Sequence, residues 1–323
     1  MFSKLVRSSV PSNFLILPLV FIIGWWSVLA DNYPVYNNSG SVVFGLFPQI
    51  FSSPLWSHVV TVIFIMLTAV LMIPFSSKYL NSVSGNSLPS FLFIILISIH
   101  YWVYGSSPAV ISIFFLMIAL YNIFETYNLN RVYNLGFMSG FYSAIASLIY
   151  FPAISFVIIS WVGFILLRTF KIREFLIIML GFLVPVILTH ALFMVNGEEK
   201  LFFSLIETAS VKIKPSFNGI EQIVLMILMG LFLLWSIIKP VSSGGLKKVI
   251  LQRYFQTLVA AIAICILVYF IRFSDFGLVA IALLPLSFIM AISITSIKKQ
   301  RWVSILLFVL IIFQVVAQLK NVF

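Results

Sequence analysis

The feature of this sequence that most constrains its fold is a series of long apolar runs separated by short polar breaks. In windows of about 19 residues, the runs lie near 14–30, 56–75, 89–104, 108–124, 136–150, 152–169, 175–195, 219–238, 255–271, 276–296 and 302–319. A helix needs about 20 apolar residues to cross a bilayer. Since 62% of the 323 residues are hydrophobic and only 8% are charged, an ordinary soluble domain is excluded. The sequence predicts an all-α fold, a polytopic transmembrane helical bundle of about eleven spans.

The sequence allows two divisions of residues 136–169 into membrane segments. They form either two short spans joined by a tight turn at Pro152, or one tilted span followed by a re-entrant piece. We favour two spans, because a turn at Pro152 returns Arg131 and Arg168 to the same side of the membrane.

The basic residues predict the orientation. With the amino terminus in the cytoplasm, fourteen of the 19 Lys and Arg residues fall in inner loops, and the outer ones are Lys200, Lys212, Lys214, Arg272 and Lys320. An odd number of spans then leaves the carboxyl terminus outside. The net charge of +11 is spread in short clusters between apolar runs. We therefore interpret it as membrane topology and expect no nucleic-acid partner.

Residues 1–323 are expected to form a single membrane domain, since no repeat or long linker divides them. Residues 1–13 are predicted to be an interfacial segment before an uncleaved first span. Residues 31–55 and 196–218 are predicted to be structured outer loops. The second loop contains an amphipathic stretch at 201–207 that suits a membrane surface.

Histidines near the outer ends of spans are the first candidates for chemistry. His58, His100 and His190 all fall toward the predicted outer side. They either line a substrate pocket or rest with the polar tip in the headgroup zone. Their spacing matches no two-histidine zinc motif, and we predict no metal site from them.

Two further outer positions carry candidate residues. Asp31 follows the first run, where it either acts as a general base, holds a divalent ion or simply ends the span. Arg272 offers a planar donor fork that suits phosphate, and Asp275 either shares that site or pairs with Arg272 to close the turn. We therefore take Asp31 as the catalytic candidate, and Arg272, Asp275 and the histidines as substrate-binding candidates.

Several function classes find no support in the sequence. It contains no G-x-S-x-G, Walker or H-E-x-x-H motif, which argues against hydrolases, ATPases and zincins. The middle of each predicted span also lacks Asp, Glu, Lys and Arg, which counts against ion-coupled transport.

A series of short motifs carries a family resemblance. In chain order they are Asn86-Ser87-Leu88-Pro89, Ser106-Ser107-Pro108, Gly136-Phe137-x-x-Gly140, Ala144 to Ala153 with Pro152, Arg173-Glu174, and Gly181 with Pro185. This order resembles an uncharacterised family of bacterial multi-pass inner-membrane proteins over most of the chain. The resemblance implies a bacterial inner (cytoplasmic) membrane location.

More distantly, the plan of spans and outer loops resembles the GT-C glycosyltransferases. That resemblance implies a sugar donor linked to polyprenyl phosphate at the outer face, with Asp31 in catalysis and a divalent metal as an assisting cofactor. The chain departs from the pattern by having a single Asp31 where that superfamily has an acidic pair. The alternative is a non-catalytic scaffold or accessory subunit of an envelope assembly, whose loop 31–55 docks a membrane-protein partner. Membrane lipids surround the chain in both hypotheses.

Overall fold

A computed structural model describes most of the central part of the chain. The described residues are 41–42, 54–80, 87–104, 108–168, 171–210, 220–242, 248–271, 276–295 and 311–312. The predicted interfacial segment 1–13, the run 14–30 and most of the run 302–319 lie outside them. So do most of loop 31–55 and residues 211–218 of the second predicted outer loop.

The described residues form helices and no strand. In chain order the helices are α1 (Pro54–Phe75), α2 (Leu88–Tyr104), α3 (Pro108–Glu125), α4 (Tyr133–Ile149), α5 (Ser155–Leu167), α6 (Ile172–Val195), α7 (Glu199–Ser210), α8 (Ile220–Ser242), α9 (Val249–Ile271) and α10 (Gly277–Thr295). A π-helical turn, Ser76–Leu80, extends α1, and a 3₁₀ turn, Phe151–Ile154, separates α4 from α5.

Five helices in the described ranges are long and apolar enough to cross a membrane. They are Trp56–Leu80, Pro108–Glu125, Ile172–Val195, Val249–Ile271 and Gly277–Thr295. Only a helix satisfies all its backbone hydrogen bonds within one segment in lipid, which is why such apolar runs fold this way. The all-α class is confirmed for the described residues, and five of their helices are candidate membrane spans. The total of about eleven spans and the sides of the two termini stay predictions.

Residues 136–168, the described part of the run 136–169, form two helices. Helix α4 ends at Ile149, the next residue, Tyr150, has an extended backbone, and Pro152 follows in the first turn of the 3₁₀ segment. The hydroxyls of Ser139 and Ser160 are hydrogen-bonded at 2.8 Å, and Gly136 faces the ring of Phe164. These pairings run in opposite chain directions, so α4 and α5 form an antiparallel hairpin.

Helices α4 and α6 cross at two glycines. A Cβ at Gly140 would collide with the carbonyl oxygen of Ile178, and a Cβ at Gly181 would collide with that of Phe137. The predicted Gly136-x-x-x-Gly140 motif thus brings two helix backbones of the same chain together.

Contacts between helix ends show that the described helices form two distinct rims. One rim, here called the cation rim, holds eight of the nine described Lys and Arg residues: Lys78, Arg131, Arg168, Lys171, Arg173, Lys239, Lys248 and Arg253. The other, the histidine rim, holds His58, His100, His190 and helix α7. The chain passes between them in alternating directions, as short connections between packed helices require.

Candidate functional site

The histidine rim is built where α1, α3 and α10 begin and α2, α4 and α6 end. His58, in the first turns of α1, hydrogen-bonds through Nδ1 with the hydroxyl of Tyr101 near the end of α2. The two rings meet edge to face with centroids 5.5 Å apart. Both side chains are buried, so this contact joins two helices inside the bundle.

His100 faces a different neighbour. Its Nε2–H donates to the carbonyl oxygen of Phe276 over 2.9 Å, just before α10 begins. That carbonyl lies beside Gly277, where any side chain would collide with the hydroxyl of Tyr150. His100 is only 1% exposed. It therefore ties the end of α2 to the start of α10 within the protein interior.

His190 lies near the end of α6 and contacts the amphipathic helix α7. Its ring centroid is 4.9 Å from that of Phe202 and 5.3 Å from that of Phe203. Phe202 is buried and also packs on Phe193 of α6. The amphipathic stretch predicted at 201–207 is therefore helical, and α7 docks onto the end of α6 through its aromatic face.

The three histidines share a rim but turn toward three different neighbours. His58 contacts α2, His100 contacts the start of α10, and His190 contacts α7. Within the described residues, no group of three His, Cys, Asp or Glu side chains is placed to hold a metal ion. The other predicted site residues, Asp31, Arg272 and Asp275, lie outside the described residues.

An apolar groove runs between α8, α9 and α10. The groove is open on one side and measures about 670 Å³, counted with the space open to solvent. Its lining is almost wholly apolar and includes Met229, Leu233, Ile262, Cys265, Phe270, Leu278 and Leu286. Gly230 also lines it, and no atom lies within 4 Å of the place where a Cβ would stand. The groove reaches Phe270 and Leu278. These residues are near the helix ends that the segment 272–275 connects along the chain.

The cation rim holds a polar cluster whose members are far apart in the sequence and were not predicted to meet. Glu125, at the end of α3, accepts hydrogen bonds from the ammonium of Lys78 and the hydroxyl of Tyr79. Phe124 stacks on Tyr254 at the start of α9, with centroids 4.6 Å apart. Tyr79 and Tyr254 lie near the ends of apolar runs in the sequence. Their partners depend on which helices are neighbours, and no local spacing reports that.

Scans against protein-family models, curated proteins and solved structures each find no match for this chain.

Proposed function

We propose that this chain is an integral protein of a bacterial inner membrane that binds a polyprenyl-phosphate-linked sugar and transfers the sugar at the outer face, as a GT-C-like glycosyltransferase. In this proposal the apolar groove holds part of the hydrocarbon chain of the donor. Arg272 donates hydrogen bonds to the phosphate, Asp275 is part of the same substrate site, and Asp31 is the base that activates the acceptor hydroxyl.

The observation that carries this proposal is the position of the groove. Its lining is almost wholly apolar, which suits a hydrocarbon chain and not a sugar. It extends to Phe270, two residues before Arg272 in the chain. The chain that lines the groove therefore continues, within two residues, to an arginine that can bind an anion. A lipid with its tail in the groove and its phosphate beyond it would require such a side chain.

The histidines take a positioning role in this proposal. His58 and His100 are buried and hydrogen-bonded to protein groups on neighbouring helices, and neither lines the groove. They hold the ends of α1, α2 and α10 at the rim where the donor phosphate is proposed to bind.

Filling the groove tests the donor site. Gly230→Trp places an indole in open space inside the groove, whereas Leu231→Trp adds the same ring at a neighbouring position that is 62% exposed on the bundle surface. Purified protein in nanodiscs is mixed with polyprenyl phosphate, and bound lipid is counted by native mass spectrometry. Gly230→Trp and Arg272→Ala are expected to lose the bound lipid, and Leu231→Trp is expected to retain it. If all three variants retained the lipid equally, the groove and Arg272 would not form a donor site.

Catalysis is tested separately at Asp31. Asp31→Asn is expected to retain polyprenyl-phosphate binding but to lose sugar transfer in membranes that contain normal amounts of the protein. Transfer at the wild-type rate by this variant would show that Asp31 is not the base.

The accessory-subunit alternative has its own supporting observation. The hydrogen bonds of His58 and His100 connect neighbouring helices within the protein, and the lining of the groove is almost wholly apolar. Neither feature requires a catalytic role. An accessory subunit would co-purify with a membrane-protein partner in mild detergent, with loop 31–55 protected from proteolysis in the complex. It would also tolerate Asp31→Asn, which separates it from the transferase.

A further inference from the structure

A second cavity lies at the cation rim, at the opposite end of the helices from the proposed donor phosphate site. It is a shallow recess of about 240 Å³, counted with the space open to solvent, between α5 and the first turns of α6, and its enclosed part has room for about one water-sized group. Its lining includes Trp161, Lys171, Glu174 and Phe175. The indole of Trp161 stacks on Phe175 with centroids 3.9 Å apart, which fixes the ring in place. The cavity is thus a built feature with a rigid aromatic wall.

Two buried donors at this place lack acceptors. The indole Nε1–H of Trp161 and the Nη1 of Arg168 are both buried, and neither has a hydrogen-bond partner in the part of the chain that the structure describes. The Arg168 side chain is only 8% exposed. A buried donor without an acceptor costs roughly 1–3 kcal/mol. Trp161 lines the cavity and Arg168 contacts the lining residue Glu174, so the two donors indicate a missing acceptor group near the cavity.

The charges around the cavity favour an anion. Arg168 Nη2 lies 3.4 Å from Glu174 Oε1, so this pair is neutral overall. Lys171 and Arg173 are exposed and have no carboxylate within ion-pair distance among the described residues. Lys171 is also the N-cap of α6, where no side chain caps the helix and the backbone N–H groups carry partial positive charge.

The surroundings of the cavity indicate a lipid as the source of that anion. Ile165 lines the cavity and is 49% exposed. Ile172 and Leu176 follow the lining residues Lys171 and Phe175 in the chain, and they are 66% and 57% exposed. In a membrane these side chains contact acyl chains. A free phosphate ion would make no favourable contact with these apolar side chains, whereas the tails of a phospholipid would pack against them.

We propose that the cavity between α5 and α6 binds the headgroup of an anionic phospholipid at the cytoplasmic rim. A headgroup phosphate oxygen accepts from Trp161 Nε1–H and from Arg168, and Lys171 supplies the balancing charge. The acyl chains run along Ile165 and Leu176. A zwitterionic choline headgroup fits poorly, because its cation would lie among Lys171 and Arg173.

The proposal is tested with delipidated full-length protein in detergent, titrated with phosphatidylglycerol, phosphatidylcholine or inorganic phosphate. Bound lipid is counted by native mass spectrometry. Trp161→Phe keeps the stacked ring but removes the donor, and Lys171→Gln removes an exposed charge. Lys248→Gln removes an exposed charge at the same rim, away from the cavity, and serves as the control.

Wild-type protein is expected to bind phosphatidylglycerol in preference to phosphatidylcholine. Trp161→Phe is expected to weaken that binding about tenfold, as is usual for loss of one hydrogen bond to a charged group, and Lys171→Gln to weaken it measurably. Lys248→Gln is expected to bind as wild type does. Equal affinity for both lipids, unchanged binding by Trp161→Phe, or displacement of the lipid by inorganic phosphate at comparable concentration would each overturn the proposal. An unfolding midpoint measured for each variant without lipid identifies any loss that comes from misfolding.

Discussion

Gly140 and Gly181 set the distance between α4 and α6 at the scale of single atoms. Each faces a backbone carbonyl oxygen of the other helix, and a backbone atom cannot rotate out of the way. Gly140→Ala is therefore expected to lower the thermal unfolding midpoint of the purified protein, at a cost of about 1–3 kcal/mol or more. Gly230→Ala is the matched control, because no atom lies within 4 Å of its Cβ position, and it is expected to cost nothing. Equal midpoints for the two variants would contradict this account.

The two ion pairs found among the described residues of the cation rim differ in burial, and this difference predicts different losses of stability when each is broken. Glu174, paired with Arg168, is 6% exposed, whereas Glu125, paired with Lys78, is 32% exposed. Glu174→Ala leaves Arg168 buried and unpaired, so we expect a loss of about 3–5 kcal/mol. Glu125→Ala leaves Lys78 near water, and we expect a loss of only about 1–2 kcal/mol. Denaturant titration of lipid-free protein in detergent measures both.

A double replacement controls for the charge itself. Arg168→Met combined with Glu174→Leu removes both charges and keeps the volume, so most of the stability lost in Glu174→Ala is expected to return. If the double variant were as unstable as the single one, or if Glu125→Ala cost as much as Glu174→Ala, burial would not be the cause.

At the scale of elements, Phe202 is the most deeply buried contact between α7 and the bundle, and Leu205 and Ile206 pack against the same cluster. Phe202 is 3% exposed and packs on His190 and Phe193, whereas Phe203 is 56% exposed. Phe202→Ala is expected to detach α7, and trypsin is expected to cut after Lys200, inside α7, about tenfold faster or more. Phe203→Ala is expected to leave the cleavage rate close to that of the wild type. Equal acceleration in both variants would show that α7 is not docked through Phe202.

The sequence predicts the helices themselves well, for a physical reason. Nine of the predicted runs coincide with described helices, because hydrocarbon permits few alternatives to a helix for an apolar segment. The amphipathic α7 and the break at Pro152 were also visible, since each depends on residues close together in the chain. Both signals are local.

The contacts of the candidate site are not local, and the sequence does not determine them. Helices α1 and α10 are apolar on every side, so periodicity does not say which face meets which neighbour. The pairing of His58 with Tyr101 and of His100 with the Phe276 carbonyl thus follows only from the three-dimensional arrangement. Lys78 and Glu125 meet for the same reason, although 47 residues separate them.

At the scale of the whole molecule, the separation of charge between the two rims predicts how the bundle sits in the membrane. Lys200 is the one described cation on the histidine rim, where it lies next to Glu198 and Glu199 in the chain. The positive-inside bias therefore predicts that the cation rim faces the cytoplasm. Both proposals depend on this orientation, since the donor site must face outward and the lipid headgroup site inward.

The single cysteine of the chain makes this orientation directly measurable. Cys265 is buried, and Cys265→Ala gives a background without thiols. In that background, Glu198→Cys and Lys248→Cys each place one exposed thiol, the first on the histidine rim and the second on the cation rim. A membrane-impermeant maleimide added to intact spheroplasts is expected to label residue 198 at once and residue 248 only after lysis. Labelling of residue 248 in intact cells would show that the bundle has the opposite orientation. The segment with Arg272 would then lie in the cytoplasm, and an outer-face transferase would have no physical basis.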